Sequence, residues 1–129
     1  MEHNELIQIA KNHLTKNKVD AHHLHLISMM HQALKEGFKL FRSHNTIFTY
    51  MPQGTNVYFG IVDGGSPREF FRACKEFYAQ CRNAGFKTAT CFTDKPDYAR
   101  HIMEQCGIKN ISYQTHDRQV DPHLMRGDL

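Results

Sequence analysis

Asn56-Val57-Tyr58-Phe59-Gly60-Ile61-Val62-Asp63-Gly64-Gly65-Ser66-Pro67-Arg68-Glu69 is the stretch on which the fold turns. Val57 to Val62 is a run of β-branched and aromatic residues and reads as a strand. Gly64 and Gly65 form a flexible turn. Ser66 is an N-cap, Pro67 takes the first helical position, and Glu69 completes a capping box. A strand that feeds a helix N-terminus through two glycines gathers main-chain N–H groups around one point, where an anion binds. Gly60 inside the strand predicts a bulge or a close backbone approach.

Beyond Ser66 the helical period continues. Phe70, Cys74, Phe77 and Cys81 share a face, flanked by Phe71, Ala73 and Tyr78, and Gly85 is the stop. Phe86 to Phe92 predicts a strand. Thr93-Asp94-Lys95-Pro96 starts another helix, with Tyr98, Ala99, Ile102, Met103 and Cys106 inward and Gly107 at its end. Ile108 to Gln114 predicts a further strand. The remainder, 115–129, is polar; it either adds a weak strand near His123 to Met125 or has no regular structure.

Toward the N-terminus, Thr46 to Met51 and Phe38 to Arg42 carry strand signals, separated by the turn residues Ser43-His44-Asn45. Pro52 to Thr55 makes the next turn, so three strands form an antiparallel meander. Helices are predicted over 4–14 and from the cap Asp20 to Gly37, the second with Leu26, Ile27, Met30, Ala33 and Leu34 on one face. The expected architecture is one α/β (α+β) domain over 1–129. It has a helical part over 1–37, a sheet core over 38–114 and a polar tail.

The chain has 129 residues, a net charge of +3, ten His and four Cys. That charge is mild and has no basic block, which argues against nucleic acid. No apolar run reaches membrane-spanning length, so no membrane partner is expected. Met1-Glu2-His3-Asn4-Glu5 does not read as a signal peptide, and the expectation is a cytoplasmic protein with free thiols. His22, His23, His25 and His31 invite a metal, but no Cys or acidic residue completes a ligand set, so none is assigned. Cys74 and Cys81 fall on an apolar helix face and read as buried thiols rather than nucleophiles.

The order helix, helix, three-strand meander, helix, strand, helix, strand resembles the GNAT family of N-acetyltransferases, without its usual first strand. The strongest local likeness is Asp97-Tyr98-Ala99-Arg100-His101-Ile102-Met103-Glu104-Gln105-Cys106-Gly107-Ile108, which is similar to the family's last core helix. Phe86 to Asp94 is similar to the strand that splays from its neighbour to admit the pantetheine arm of coenzyme A. The pattern departs at Asp63, where a basic residue usually leads the pyrophosphate loop, and at Met103, where a Tyr often serves as acid. Small GNAT-like proteins of bacteriophages, some of which modify or bind host proteins, share such departures.

The resemblance implies acetyl-CoA or CoA as cofactor. Gly60, Ile61 and Val62 would hold the pantetheine arm, and Gly64, Gly65, Ser66 and Arg68 the pyrophosphate. Tyr98 and His101 are the candidates for proton transfer, against the plainer reading that Tyr98 packs on Ile102 and His101 faces water. Two functions are expected to compete. One is acyl-CoA-dependent N-acyltransfer to an amine of a protein or small molecule. The other is binding of a host or partner protein with little or no turnover.

Overall fold

Two tight hairpins open the sheet. The computed structural model describes residues 35–63 and 66–129. Strand β1 (Lys39–Ser43) turns into β2 (Thr46–Gln53) through His44 and Asn45, both at positive φ, 45° and 59°. That is the type I′ geometry whose twist matches the strands it joins. Between β2 and β3 (Asn56–Asp63), Gly54 alone has positive φ, the pattern of a type II′ turn. The predicted helices over 4–14 and 20–37 lie outside the described residues, apart from the last turn at Lys35 to Gly37.

Helix α1 (Pro67–Asn83) follows, then β4 (Thr88–Thr93), α2 (Pro96–Gln105), β5 (Lys109–Thr115) and β6 (His123–Asp128). Both helices end on Schellman motifs. At α1, Phe86 N–H donates to the Cys81 carbonyl and Gly85 N–H to Arg82; at α2, Ile108 donates to Met103 and Gly107 to Glu104. Each motif satisfies the last carbonyls and turns the chain directly into the next strand.

The six strands form one sheet in the order β1-β2-β3-β4-β6-β5, with β3 and β4 parallel and every other pair antiparallel. The fold is mixed α+β, and the described residues hold two helices. Of the two readings of 115–129, the strand near His123 to Met125 holds. It is longer than expected and interior to the sheet as β6, with Met125 fully buried opposite Cys91. The expected bulge at Gly60 is also displaced. Gly60 pairs regularly with Thr49, and the register slips where Ile47 and Phe48 face Asp63 and Ile61, leaving Val62 as the extra residue.

One face of the sheet carries the core. Phe41, Phe48, Phe59 and Phe77 make a ring cluster, with Phe48 and Phe77 stacked at 4.5 Å between centroids. Helix α2 lies beside α1 on the same face, where Arg82 donates to the Cys106 carbonyl at 2.8 Å and so joins the two helix ends.

The β1–β2 turn is pinned to α1 by two carboxylates. Glu76 accepts from the Ser43 hydroxyl and pairs with His44, while Glu69 accepts from Asn45 Nδ2 at 2.6 Å. These hydrogen bonds favour the ionised forms: Ser43 then His44 hold Glu76 below the ordinary 4.5, and the Ser66 N–H then Asn45 do the same for Glu69. A depressed folded-state pKa contributes stability above the unfolded value and loses it as pH falls through the folded one. Thermal melts are therefore expected to change little in this contribution between pH 7 and about 5, and to lose it below about 4.5. A Glu69→Gln/Glu76→Gln variant should show a shallower acid limb, and an unchanged limb would refute the linkage.

Candidate functional site

Strands β3 and β4 run side by side only as far as Phe59–Cys91. Beyond that point β3 keeps pairing with β2 to Asp63, and β4 keeps pairing with β6 to Thr93. The bulge at Val62 adds twist to β3 where it leaves β4. Thr55 shows which main-chain groups face β4, because its carbonyl accepts from Lys87 N–H at 2.7 Å. By the alternation of a strand, Val57, Phe59 and Ile61 face the same way. Ile61 lies past the end of the ladder, so its N–H has no cross-strand partner among the described residues.

The parting of the strands opens a cavity of about 600 Å³. Phe70, Cys74, Tyr78, Tyr98, Ile102 and Met103 line it from the helices, whereas Phe38, Thr49, Tyr58, Phe92 and Arg118 line it from the opposite face of the sheet. It therefore passes through the sheet between β3 and β4. Its size is that of a small-molecule site, and the walls are mainly apolar with polar groups at the mouth. Asp94, Lys95, Arg118, Asp121 and Glu36 bring charges of both signs there.

Of the residues singled out from sequence, Gly60, Ile61 and Tyr98 line this cavity. Ile61 and Tyr98 are 41% and 48% exposed, and Tyr98 stacks on Phe70 with centroids 6.4 Å apart. His101 does not join them. It is exposed on α2, outside the stripe that buries Ile102, Met103 and Cys106. Met103 is 2% exposed and forms part of the floor. Val62 belongs to β3 as the bulged residue, while Gly64 and Gly65 lie outside the described residues.

Ser66 and Arg68 sit at the start of α1, both exposed. The helix N-terminus there is partly occupied by the protein's own anion. Ser66 N–H donates to the Glu69 carboxylate at 3.2 Å, Glu69 N–H donates to Ser66 Oγ, and Phe70 N–H donates to the Ser66 carbonyl. Pro67 has no N–H. Among residues 66–70, only Arg68 N–H is left for an incoming anion, supported by its guanidinium. The anion site expected from the capping box is therefore narrower than the motif alone implies, because the box consumes the donors it advertises.

The four cysteines are free and buried. Burial pushes the Cys74 and Cys91 thiols up to about 12, and Cys81 and Cys106 up to about 11. They stay protonated near neutral pH, as expected of packing residues rather than nucleophiles. Among the described residues, no group of three or more His, Cys, Asp or Glu is placed to hold a metal ion. The histidines at 22, 23, 25 and 31 lie outside those residues. No helix of the described residues is long and apolar enough to cross a membrane.

Sequence reasoning missed Arg118, Phe92 and Tyr78 as cavity residues. Arg118 reaches the mouth because His116 N–H donates to the Pro122 carbonyl at 2.7 Å, closing the 116–122 loop. Its guanidinium lies 3.7 Å over the Phe92 ring. No periodicity could reveal that contact. Tyr78 has the spacing of a core residue, and only the cavity distinguishes it. No family model, curated protein or solved structure matches this chain.

Proposed function

We propose that the chain binds acyl-coenzyme A and transfers its acyl group to an amine. The observation that carries the reading is the parting of a parallel strand pair into a cavity that crosses the sheet. A long, thin ligand fits such an opening, and a pantetheine arm with two amides would complement the unpaired main-chain groups around Ile61. The GNAT-like order of elements read from the sequence agrees with this reading. Binding the thioester from one face leaves the other for the amine, and catalysis would come chiefly from placing the two together, an effect worth up to ~7–11 kcal/mol. Gly60, Ile61 and Val62 would hold the arm. Arg68, with Gly64, Gly65 and Ser66, would meet the pyrophosphate, and Tyr98 would stand at the acyl end. His101, turned outward, has no role in this scheme.

Acetyl-CoA at about 100 times its Kd is expected to stabilise the protein by ~2.7 kcal/mol, a rise in Tm of roughly 10 °C. Arg68→Glu should weaken binding about three- to tenfold through charge reversal at the helix N-terminus. A Tm that does not move at millimolar acetyl-CoA would sink the proposal.

A second reading has its own support. The capping box already places the Glu69 carboxylate where the pyrophosphate would sit, and Met103 offers no acid. Both favour a GNAT-like protein that binds a host or partner protein without turnover. In that case a partner should still co-purify with the Arg68→Glu protein.

A further inference from the structure

We propose that Tyr78 is the hydrogen-bond donor that receives the acyl carbonyl oxygen of the ligand at the apex of the cavity, an assignment that rests on the acyl-coenzyme A reading above. Tyr78 is only 3% exposed, and its ring meets Phe59 edge-on at 5.7 Å between centroids. Phe59 is the last β3 residue paired with β4. The ring thus stands beneath the point where the strands part.

The Tyr78 hydroxyl has no hydrogen-bond partner among the described residues, yet the residue lines the cavity. Nor is the hydroxyl sealed inside the protein, since Arg100 Nε is the one fully enclosed, unpartnered side-chain N or O atom among the described residues. Cys91 and Cys74, which lie near it and also line the cavity, offer only sulfur. The hydroxyl therefore opens on the cavity without a protein acceptor, and its donor is free for an acceptor that arrives with the ligand.

Burial also pushes the Tyr78 hydroxyl well above the usual tyrosine range, so it remains protonated at every physiological pH. It is a donor, not a base, and selects a ligand that carries an acceptor at this depth. A thioester carbonyl is such a group. When the amine nitrogen bonds to the carbonyl carbon, the oxygen gains charge and the hydrogen bond strengthens. The C–S bond then breaks, the amine proton ends on the departing sulfur, and Tyr78 keeps its own proton.

The test is isothermal titration of the wild type and Tyr78→Phe with acetyl-CoA and with coenzyme A, which has no acyl carbonyl. The expected result is acetyl-CoA binding about three- to tenfold weaker in the variant, with coenzyme A binding unchanged within about twofold. The ligand-free variant should melt at about the same temperature, because the hydroxyl makes no hydrogen bond to the described residues. Equal effects on the two ligands, no effect on either, or a clear loss of Tm without ligand would each overturn the assignment of Tyr78 and leave the binding reading intact. A wild type that binds neither ligand would overturn that reading, and this assignment with it.

Discussion

Replacing Phe77 by alanine is expected to destabilise the protein by ~3–5 kcal/mol, lowering Tm by roughly 10–20 °C. Phe77 is the hub of the aromatic cluster. It stacks on Phe48 in near-parallel planes and meets Phe41, Tyr50 and Phe59 at centroid distances of 5.6, 5.9 and 5.0 Å. Those rings come from β1, β2 and β3, so truncation detaches α1 from three strands at once. The space left behind cannot collapse easily, because each neighbouring ring is held by its own strand. A loss of this size is a large part of the ~5–15 kcal/mol typical of a domain. Urea denaturation of Phe77→Ala beside Phe77→Leu would measure it, with the leucine variant losing much less. A loss below about 1 kcal/mol in the alanine variant would contradict the packing described.

The second large effect is expected from a single added methyl group. A Cβ on Gly127 would lie 2.3 Å from Ile108 Cγ2 and 3.1 Å from Met103 Cε. Overpacking of this kind costs ~1–3 kcal/mol. Ile108 cannot yield freely, because its N–H closes the Schellman motif on Met103. Gly127→Ala should therefore destabilise β6 and push α2 outward, disturbing Met103 in the cavity floor. Ile108→Ala in the same chain should relieve the clash. The double variant is expected to be more stable than the sum of the two single losses predicts, by at least ~1 kcal/mol. Strict additivity would mean that the contact does not set the distance between helix and strand.

The same glycine explains why part of the fold was hard to read from sequence. Strands β2 and β3 and both helices announce themselves through turn residues, caps and apolar spacing. Strand β6 does not. Its core-facing positions include Met125 and Gly127, and the glycine is there because α2 and Ile108 press against the sheet. A strand that gives up side chains to admit a neighbour loses the hydrophobic pattern that would identify it. Polar composition over 115–129 therefore left the strand faint and concealed its interior place in the sheet.

The candidate site divides in a similar way. Gly60 was legible because a glycine inside a strand is a local signal, whereas Ile61 and Tyr98 were named through the likeness to a GNAT strand and helix. The displacement of the bulge from Gly60 to Val62 was not legible, since it depends on how β2 pairs across from it. His101 was named through a likeness to a helix whose inward face is set by Ile102, Met103 and Cys106, and the helical period carries it away from that face. Glu69 was read correctly as a cap. Its further effect, filling the anion position with a carboxylate of the protein itself, follows only when the donors of the first turn are counted one by one. Tyr78 and Arg118 needed the tertiary structure, one for a missing partner and the other for a loop closure.

The placement of β6 between β4 and β5 bears on the order in which the molecule is assembled. During synthesis, residues 39–63 and α1 leave the ribosome as a nearly self-sufficient unit of hairpins and helix. Strand β4 can join that unit through β3, but its other edge stays open until residues 123–128 emerge. Strand β5 has to wait as well, because among the described residues its only neighbour in the sheet is β6. Pairings between distant parts of a chain form slowly, and an open edge is a site for wrong partners. Arg118 and Asp121, which line the cavity just ahead of β6, are therefore fixed last, and a nascent chain acquires its aromatic cluster before it acquires its site.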